Sequence, residues 1–151
     1  MIKEKYLGTY MKTAKLFAEH SSAVRKKVGA VIVKDDRIIS IGYNGMPAGW
    51  ENNCEEKVYK IDGWLVDDEG SYELKTRPEV IHAESNAIAK LAKSTESGDG
   101  ASMFITCAPC VECAKMIYQS GIKEVFYGEK YRSNDGIDFL NKCGLTIRQI
   151  K

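Results

Sequence analysis

The stretch from Ala101 to Tyr127 constrains the fold more than any other. Ala101 to Thr106 reads as a strand, Cys110 to Gln119 as a helix capped by Gly121, and Glu124 to Tyr127 as a second strand. A strand, a helix of this length and another strand make a crossover connection, which forces the two strands parallel. A chain containing this unit is an α/β protein.

The remaining segments extend that unit. Leu7, Tyr10, Met11, Ala14, Phe17, Ala18 and Ser21 recur at helical spacing, so the first twenty residues form an amphipathic helix. Val28–Val33 and Arg37–Tyr43 are β-branched runs around a polar turn, Lys34-Asp35-Asp36, and make a hairpin. Asn44 to Gly49 is punctuated by Gly and Pro and is a loop. Pro78 stands ahead of a helix over about Ile81 to Ala92, where it breaks no hydrogen-bond ladder. Ile137 to Leu140, with Gly144 as C-cap, gives a further helix, and Leu145 to Ile150 a last strand. The expected architecture is a three-layer α/β/α domain: a five-stranded mixed sheet, a hairpin plus parallel strands, with helices on both faces.

Charge divides the chain unevenly. Twenty-two Lys and Arg stand against twenty-one Asp and Glu, a net +1 that excludes a polybasic nucleic-acid binder. Residues 50–79 hold nine acids and four bases, or −5, leaving +6 on the other 121 residues. We read one domain over 1–151 carrying an acidic insertion at about 50–79, an outer flap or subunit-contact segment. With 44% hydrophobic residues the chain is long enough to bury a core. No apolar run is long enough to span a membrane, and Met1 to Lys5 does not begin a signal peptide. Five cysteines without a secretion signal suit a reducing compartment, so a cytoplasmic place is expected.

Two short motifs carry chemistry. His82-Ala83-Glu84 opens the second helix, and Pro109-Cys110-Val111-Glu112-Cys113 opens the third. Cys110 and Cys113, three apart at a helix start, present their sulfurs on one face. One imidazole and two thiolates leave a zinc ion an open fourth position, as a catalytic site requires. Residues two apart in mid-helix point about 200° apart, so His82 and Glu84 meet at one site only if the helix begins there. Glu84 is then a general acid/base beside the metal rather than a ligand. Cys107 makes a competing pair with Cys110, but Pro109 keeps the residue before it out of helical geometry. That puts Cys107 on the strand end. A structural zinc site or a redox pair is the alternative reading of Cys-x-x-Cys, with His20, Cys54 or Cys143 as a fourth ligand.

His-x-Glu followed by Pro-Cys-x-x-Cys is the signature of zinc deaminases. With Val28–Val33, Gly42–Pro47, Val80–Ile88 and Cys110–Lys115, the chain resembles the cytidine/deoxycytidylate deaminase superfamily. Within it the chain is most similar to the deoxycytidylate (dCMP) deaminases of bacterial and phage type, and the likeness runs from about Leu7 to Ile150. The resemblance implies the cytidine deaminase-like fold, one zinc on His82, Cys110 and Cys113, and hydrolysis of dCMP to dUMP and ammonia, which supplies dUMP for dTMP synthesis. Glu84 would protonate N3 and carry a proton to the departing amine. The Ala83 N–H would meet O2 and the Ala108 carbonyl the amine, and Asn44 would grip the sugar 3′-hydroxyl; otherwise Asn44 is a plain left-handed turn residue. Arg25, Tyr131 and Arg132 are the candidates at the phosphate. The resemblance also implies a hexamer, activated by dCTP and inhibited by dTTP with Mg2+. Its effector site would lie on Gly42, Tyr43, Asn44, Gly45, Met46 and Pro47. Some phage relatives hold a second zinc near the first helix; here Ser21, Ser22 and Ala23 occupy that region, so one zinc per chain is expected. The competing functions are a tRNA adenosine deaminase, which would want a basic surface, and a zinc-stabilised binding module, which has no use for Glu84.

Overall fold

The crossover forms as its sequence requires. In the computed structural model, which describes residues 2–59 and 72–151, β5 (Ser102–Cys107), α3 (Val111–Gln119) and β6 (Glu124–Glu129) place Phe104 beside Phe126 in parallel register. A further parallel strand, β7 (Thr146–Gln149), follows α4 (Asp135–Lys142). On the other side of β5, β1 (Gly29–Lys34) runs antiparallel and pairs in turn with β2 (Arg37–Tyr43). The sheet order is β2-β1-β5-β6-β7, the expected five-stranded mixed sheet. The β1–β2 turn uses Asp35 and Asp36 at φ of 52° and 58°, the left-handed pair that a tight two-residue hairpin demands.

Strand alternation divides the core. Ala30, Ile32, Met103, Ile105 and Val125 face α2 (Ala83–Ala92), α3 and α4, while Val31, Val33, Phe104 and Phe126 face α1 (Glu4–Ala18). Leu7, Met11 and Ala14, at helical spacing, form the buried stripe of α1. Phe104 and Phe126 stack beneath it with centroids 4.7 Å apart. One helix therefore covers one face and three cover the other. No helix among the described residues is long and apolar enough to cross a membrane.

Two helix starts and one added element differ from the sequence reading. The second helix starts at Ala83 rather than Ile81, because His82 is extended at its N-cap with φ −70° and ψ 156°. The third starts at Val111, with Cys110 extended at its N-cap. The acidic stretch holds an unforeseen element: β3 (Glu55–Tyr59) and β4 (Tyr72–Thr76) pair antiparallel as a separate two-stranded sheet. The middle of the proposed insertion, residues 60–71 with Trp64, lies outside the described residues.

Candidate active site

Two helix starts build the site. His82 and Cys110 each end an extended segment, and each helix begins at the next residue. This brings the His82 Nδ1 to 3.6 Å from the Cys110 Sγ and 3.3 Å from the Cys113 Sγ. A tetrahedral zinc, with bonds of about 2.3 Å to sulfur and 2.0 Å to nitrogen, separates such a pair by about 3.5 Å. The donor set and its spacing therefore fit zinc. It is the only group of three or more His, Cys, Asp or Glu side chains among the described residues drawn together this closely. His20, Cys54 and Cys143 do not join it; all five cysteines are unpaired. His20 instead lies against the Phe17 and Tyr43 rings.

Glu84 sits one residue inside α2, is 4% exposed, and is not part of the ligand group. A helix beginning at Ala83 resolves the angular problem of His-x-Glu, since His82 precedes the helix and Glu84 lies within it. Burial pushes the Glu84 carboxyl up to about 7, against weaker pulls from its own backbone N–H and from His82. In the metal-free group the Cys110 thiol is held down at about 3 by the Cys113 thiol and by His82. Cys113, donating to Cys110, is pushed up, and the hydrogen bond to Cys110 raises His82. The lowered Cys110 thiol favours the thiolate form that a cation's ligand requires.

Close packing fixes both starts. At Gly42 on β2, an added Cβ would lie 2.3 Å from the Ala83 carbonyl oxygen, so only glycine lets β2 pass beneath α2. At Gly136 on α4, a Cβ would lie 2.1 Å from the Pro109 carbonyl oxygen and 3.0 Å from Cys110 backbone atoms. Gly45 exchanges two backbone hydrogen bonds with Ile81, tying the 42–47 loop to the residue before His82. The structure thus gives Gly42 and Gly45 packing and tethering work beyond the effector role expected for them. Tyr43 stands at the surface and its carbonyl accepts from the Asn86 amide. Pro47 accepts from the Trp50 N–H, and Met46 lines a hollow of about 380 Å³ with Trp50 and Arg77.

Asn44 is not a left-handed turn residue; among non-glycine described residues only Asp35 and Asp36 have positive φ. Its side chain accepts from the Val28 N–H at 2.8 Å and donates to the Lys26 carbonyl at 2.8 Å. Each amide end keeps one further hydrogen-bonding position. Ala83 opens α2, where backbone N–H groups lack intrahelical acceptors. Ala108 is buried, and its N–H donates to the Glu129 carbonyl at 2.8 Å. Arg132 covers the Tyr131 ring at 5.5 Å. The exposed Arg25 points its guanidinium to Thr76 on β4, at 3.4 Å.

Two residues that matter here were missed in the sequence. Lys26 pairs with Glu129 at 2.6 Å, joining the 25–27 segment to the end of β6. Glu55, buried at the start of β3, accepts from the backbone N–H groups of Val24 and Arg25 at 2.9 and 3.1 Å. Among nine acids of one stretch, nothing local marks Glu55 out. Its role follows only from a partner 30 residues away.

Comparisons with known proteins agree with this geometry. The pattern defining the cytidine and deoxycytidylate deaminase zinc-binding region matches residues 5–129. A crystal structure of the dCMP deaminase from the cyanophage S-TIM5, in complex with dCMP and dUMP, superposes with a TM-score of 0.85 at 42% identity. That match covers 99% of this chain and all of the other. The deoxycytidylate deaminase of Enterobacteria phage T2 is 35% identical over 93% of this chain and 89% of its own. The human deoxycytidylate deaminase is 39% identical over 93% and 76%. A three-donor group spaced for zinc, a buried carboxylate beside it and a match over most of the chain agree: this protein belongs to the cytidine and deoxycytidylate deaminase family.

Proposed function

We propose that this chain hydrolyses dCMP to dUMP and ammonia. The observation that carries the proposal is Glu84, buried beside a three-donor group that leaves a tetrahedral ion one open position. Zinc held there supplies Lewis acidity that brings the ionisation of water into the neutral range. Glu84, buried beside the donors, takes protons and returns them, first to N3 and then to the departing amine. With zinc held by His82, Cys110 and Cys113, the Glu84 carboxyl would be drawn toward its ionised form and would be competent as the base. The Ala83 N–H at the open start of α2 holds O2, and the Ala108 carbonyl holds the amine. The spare positions of the Asn44 amide take the 3′-hydroxyl.

Arg25, Tyr131 and Arg132 receive the phosphate. Their two segments are joined by the Lys26–Glu129 pair, which supports grouping them at one end of the nucleotide. The 42–47 loop serves as the effector site for dCTP and dTTP, with Mg2+ accompanying the triphosphate; the hollow beside Met46 offers the Trp50 ring and Arg77, with Glu51 and Glu79 also in its lining. We read residues 1–151 as one domain with the 50–79 insertion at a subunit contact of a hexamer. Five unpaired cysteines fit the reducing cytoplasm.

The test is ultraviolet turnover of the zinc-loaded protein on cytidine, dCMP, dCTP and an RNA stem, with and without dCTP and dTTP. Turnover of dCMP is expected, with loss of about a thousandfold in Glu84→Gln at unchanged zinc content. Turnover of cytidine but not dCMP overturns the phosphate assignment, and turnover of the RNA alone favours the tRNA reading. Full activity in Glu84→Gln removes the carboxylate from the mechanism.

A further inference from the structure

Ser85 is the third residue of α2, half-buried, and its hydroxyl lies 3.5 Å from the Cys113 Sγ. That hydroxyl makes no other hydrogen bond among the described residues. A serine in a helix ordinarily turns its hydroxyl back to the carbonyl three or four residues earlier. Here both carbonyls are engaged. That of Ile81 accepts from the Gly45 N–H at 3.1 Å, and that of His82 from the Asn86 N–H at 3.0 Å. The Ser85 hydroxyl crosses to α3 instead and meets a sulfur 28 residues away in the chain.

The two sulfurs of the donor group have different surroundings. Cys110 is half-buried at the start of α3, whereas Cys113 is 2% exposed and precedes the fully buried Ala114. A thiolate shut away from water is costly unless a donor meets it. In the metal-free group Cys110 and His82 supply such contacts to Cys113. Both are themselves metal donors. Once they turn to zinc, Ser85 is the remaining side-chain partner of Cys113 among the described residues. A cysteine bound to zinc carries no proton, so in the loaded site Ser85 is the hydrogen-bond donor. Two thiolates and the buried Glu84 also crowd negative charge around one dication, and a hydrogen bond to a sulfur relieves part of it.

We infer that Ser85 is a positioning residue of the metal centre: its hydroxyl donates to the Cys113 sulfur, fixes the direction of that ligand and lowers the electron density it gives the ion. Weaker donation leaves the ion a stronger Lewis acid toward its open position. The inference rests on the zinc reading of the site proposed above and not on the identity of the substrate.

The experiment compares the full chain with Ser85→Ala and Ser85→Thr, each loaded with zinc and, separately, with cobalt(II) as a spectroscopic probe of the sulfur ligands. Zinc affinity, measured by competition with a chelator, is expected to fall about tenfold or more in Ser85→Ala. The sulfur-to-cobalt charge-transfer band is expected to move to longer wavelength in the same variant, because a sulfur without its hydrogen bond gives up charge more easily. Ser85→Thr keeps the hydroxyl and should restore both. Loss of packing alone would weaken zinc binding without moving the band, and that result overturns the inference. A band moved equally by alanine and threonine overturns it too. If the parent takes up one ion and the alanine band stays in place, the role of Ser85 falls while the metal site stands. A parent that takes up no ion defeats both readings.

Discussion

The starts of α2 and α3 and the β3–β4 hairpin flank the same region, yet different forces hold them. Ala83, Ala87, Ala114 and Ile117 are fully buried, so hydrophobic burial and close backbone packing set the positions of His82, Glu84, Cys110 and Cys113. The hairpin has exposed Val58, Tyr59 and Tyr72 along its length. It is fastened at its base by a few polar contacts. Glu55 holds two backbone N–H groups of the 24–25 turn, and the Arg77 N–H donates to the Cys54 carbonyl at 2.8 Å. The Cys54 sulfur meets the Ser22 hydroxyl at 3.4 Å. A packed core resists displacement collectively, whereas a polar fastening opens locally. The donor group is thus placed on the closely packed part and the 24–25 turn on the part held by polar contacts.

That contrast can be broken at Glu84 first. With the metal chelated, the folded chain keeps a proton on Glu84 up to about pH 7, while an ordinary carboxyl near 4.5 has lost it. The Glu84 contribution to the stability of the metal-free protein therefore falls as pH rises from about 4.5 to 7, by about 3 kcal/mol, and is level above. Glu84→Gln removes this component alone, so in urea titrations the stability of the parent relative to the variant should be greater at pH 5 than at pH 7.5. Equal slopes would mean the buried carboxylate costs nothing.

Gly136→Ala comes next. Its new methyl must displace the Pro109 carbonyl, and it should cost about 1–3 kcal/mol and weaken zinc retention. Gly45→Ala, with open space around the added carbon, is the matched control and should leave thermal melting and zinc content nearly unchanged. If the two variants behave alike, close packing is not what positions Cys110.

The smallest effect belongs to the hairpin. Glu55→Gln weakens two hydrogen bonds to a carboxylate and should cost about 1–2 kcal/mol. Because those bonds hold the turn that carries Arg25, KM for dCMP should rise while kcat stays near the parent value. A fall in kcat with unchanged KM would place Glu55 with the rigid group instead.

Legibility followed the same division. The crossover, the hairpin and the metal donors were readable because each depends on residues near one another in sequence: apolar alternation, Asp-Asp at a turn, Pro before Cys-x-x-Cys. Glu84 was readable only with a condition, that the helix begin beside His82, and the structure supplies that start at Ala83. The β3–β4 pairing was not readable, since charged, half-exposed strands such as Glu55-Glu56-Lys57 lack a hydrophobic period.

By itself the sequence determined the α/β class, the order of the sheet's building blocks and the donor set for zinc. These follow from the two-residue period of strands, the crossover rule and the coordination preferences of sulfur and nitrogen. Only the tertiary structure decided that the helix begins in time to bury Glu84 beside the donors, which glycines carry close contacts and which lysine pairs with Glu129. Burial, steric contact and ion pairing act through space. The pairs they join here, such as Glu55 with Val24 and Gly136 with Pro109, stand tens of residues apart along the chain.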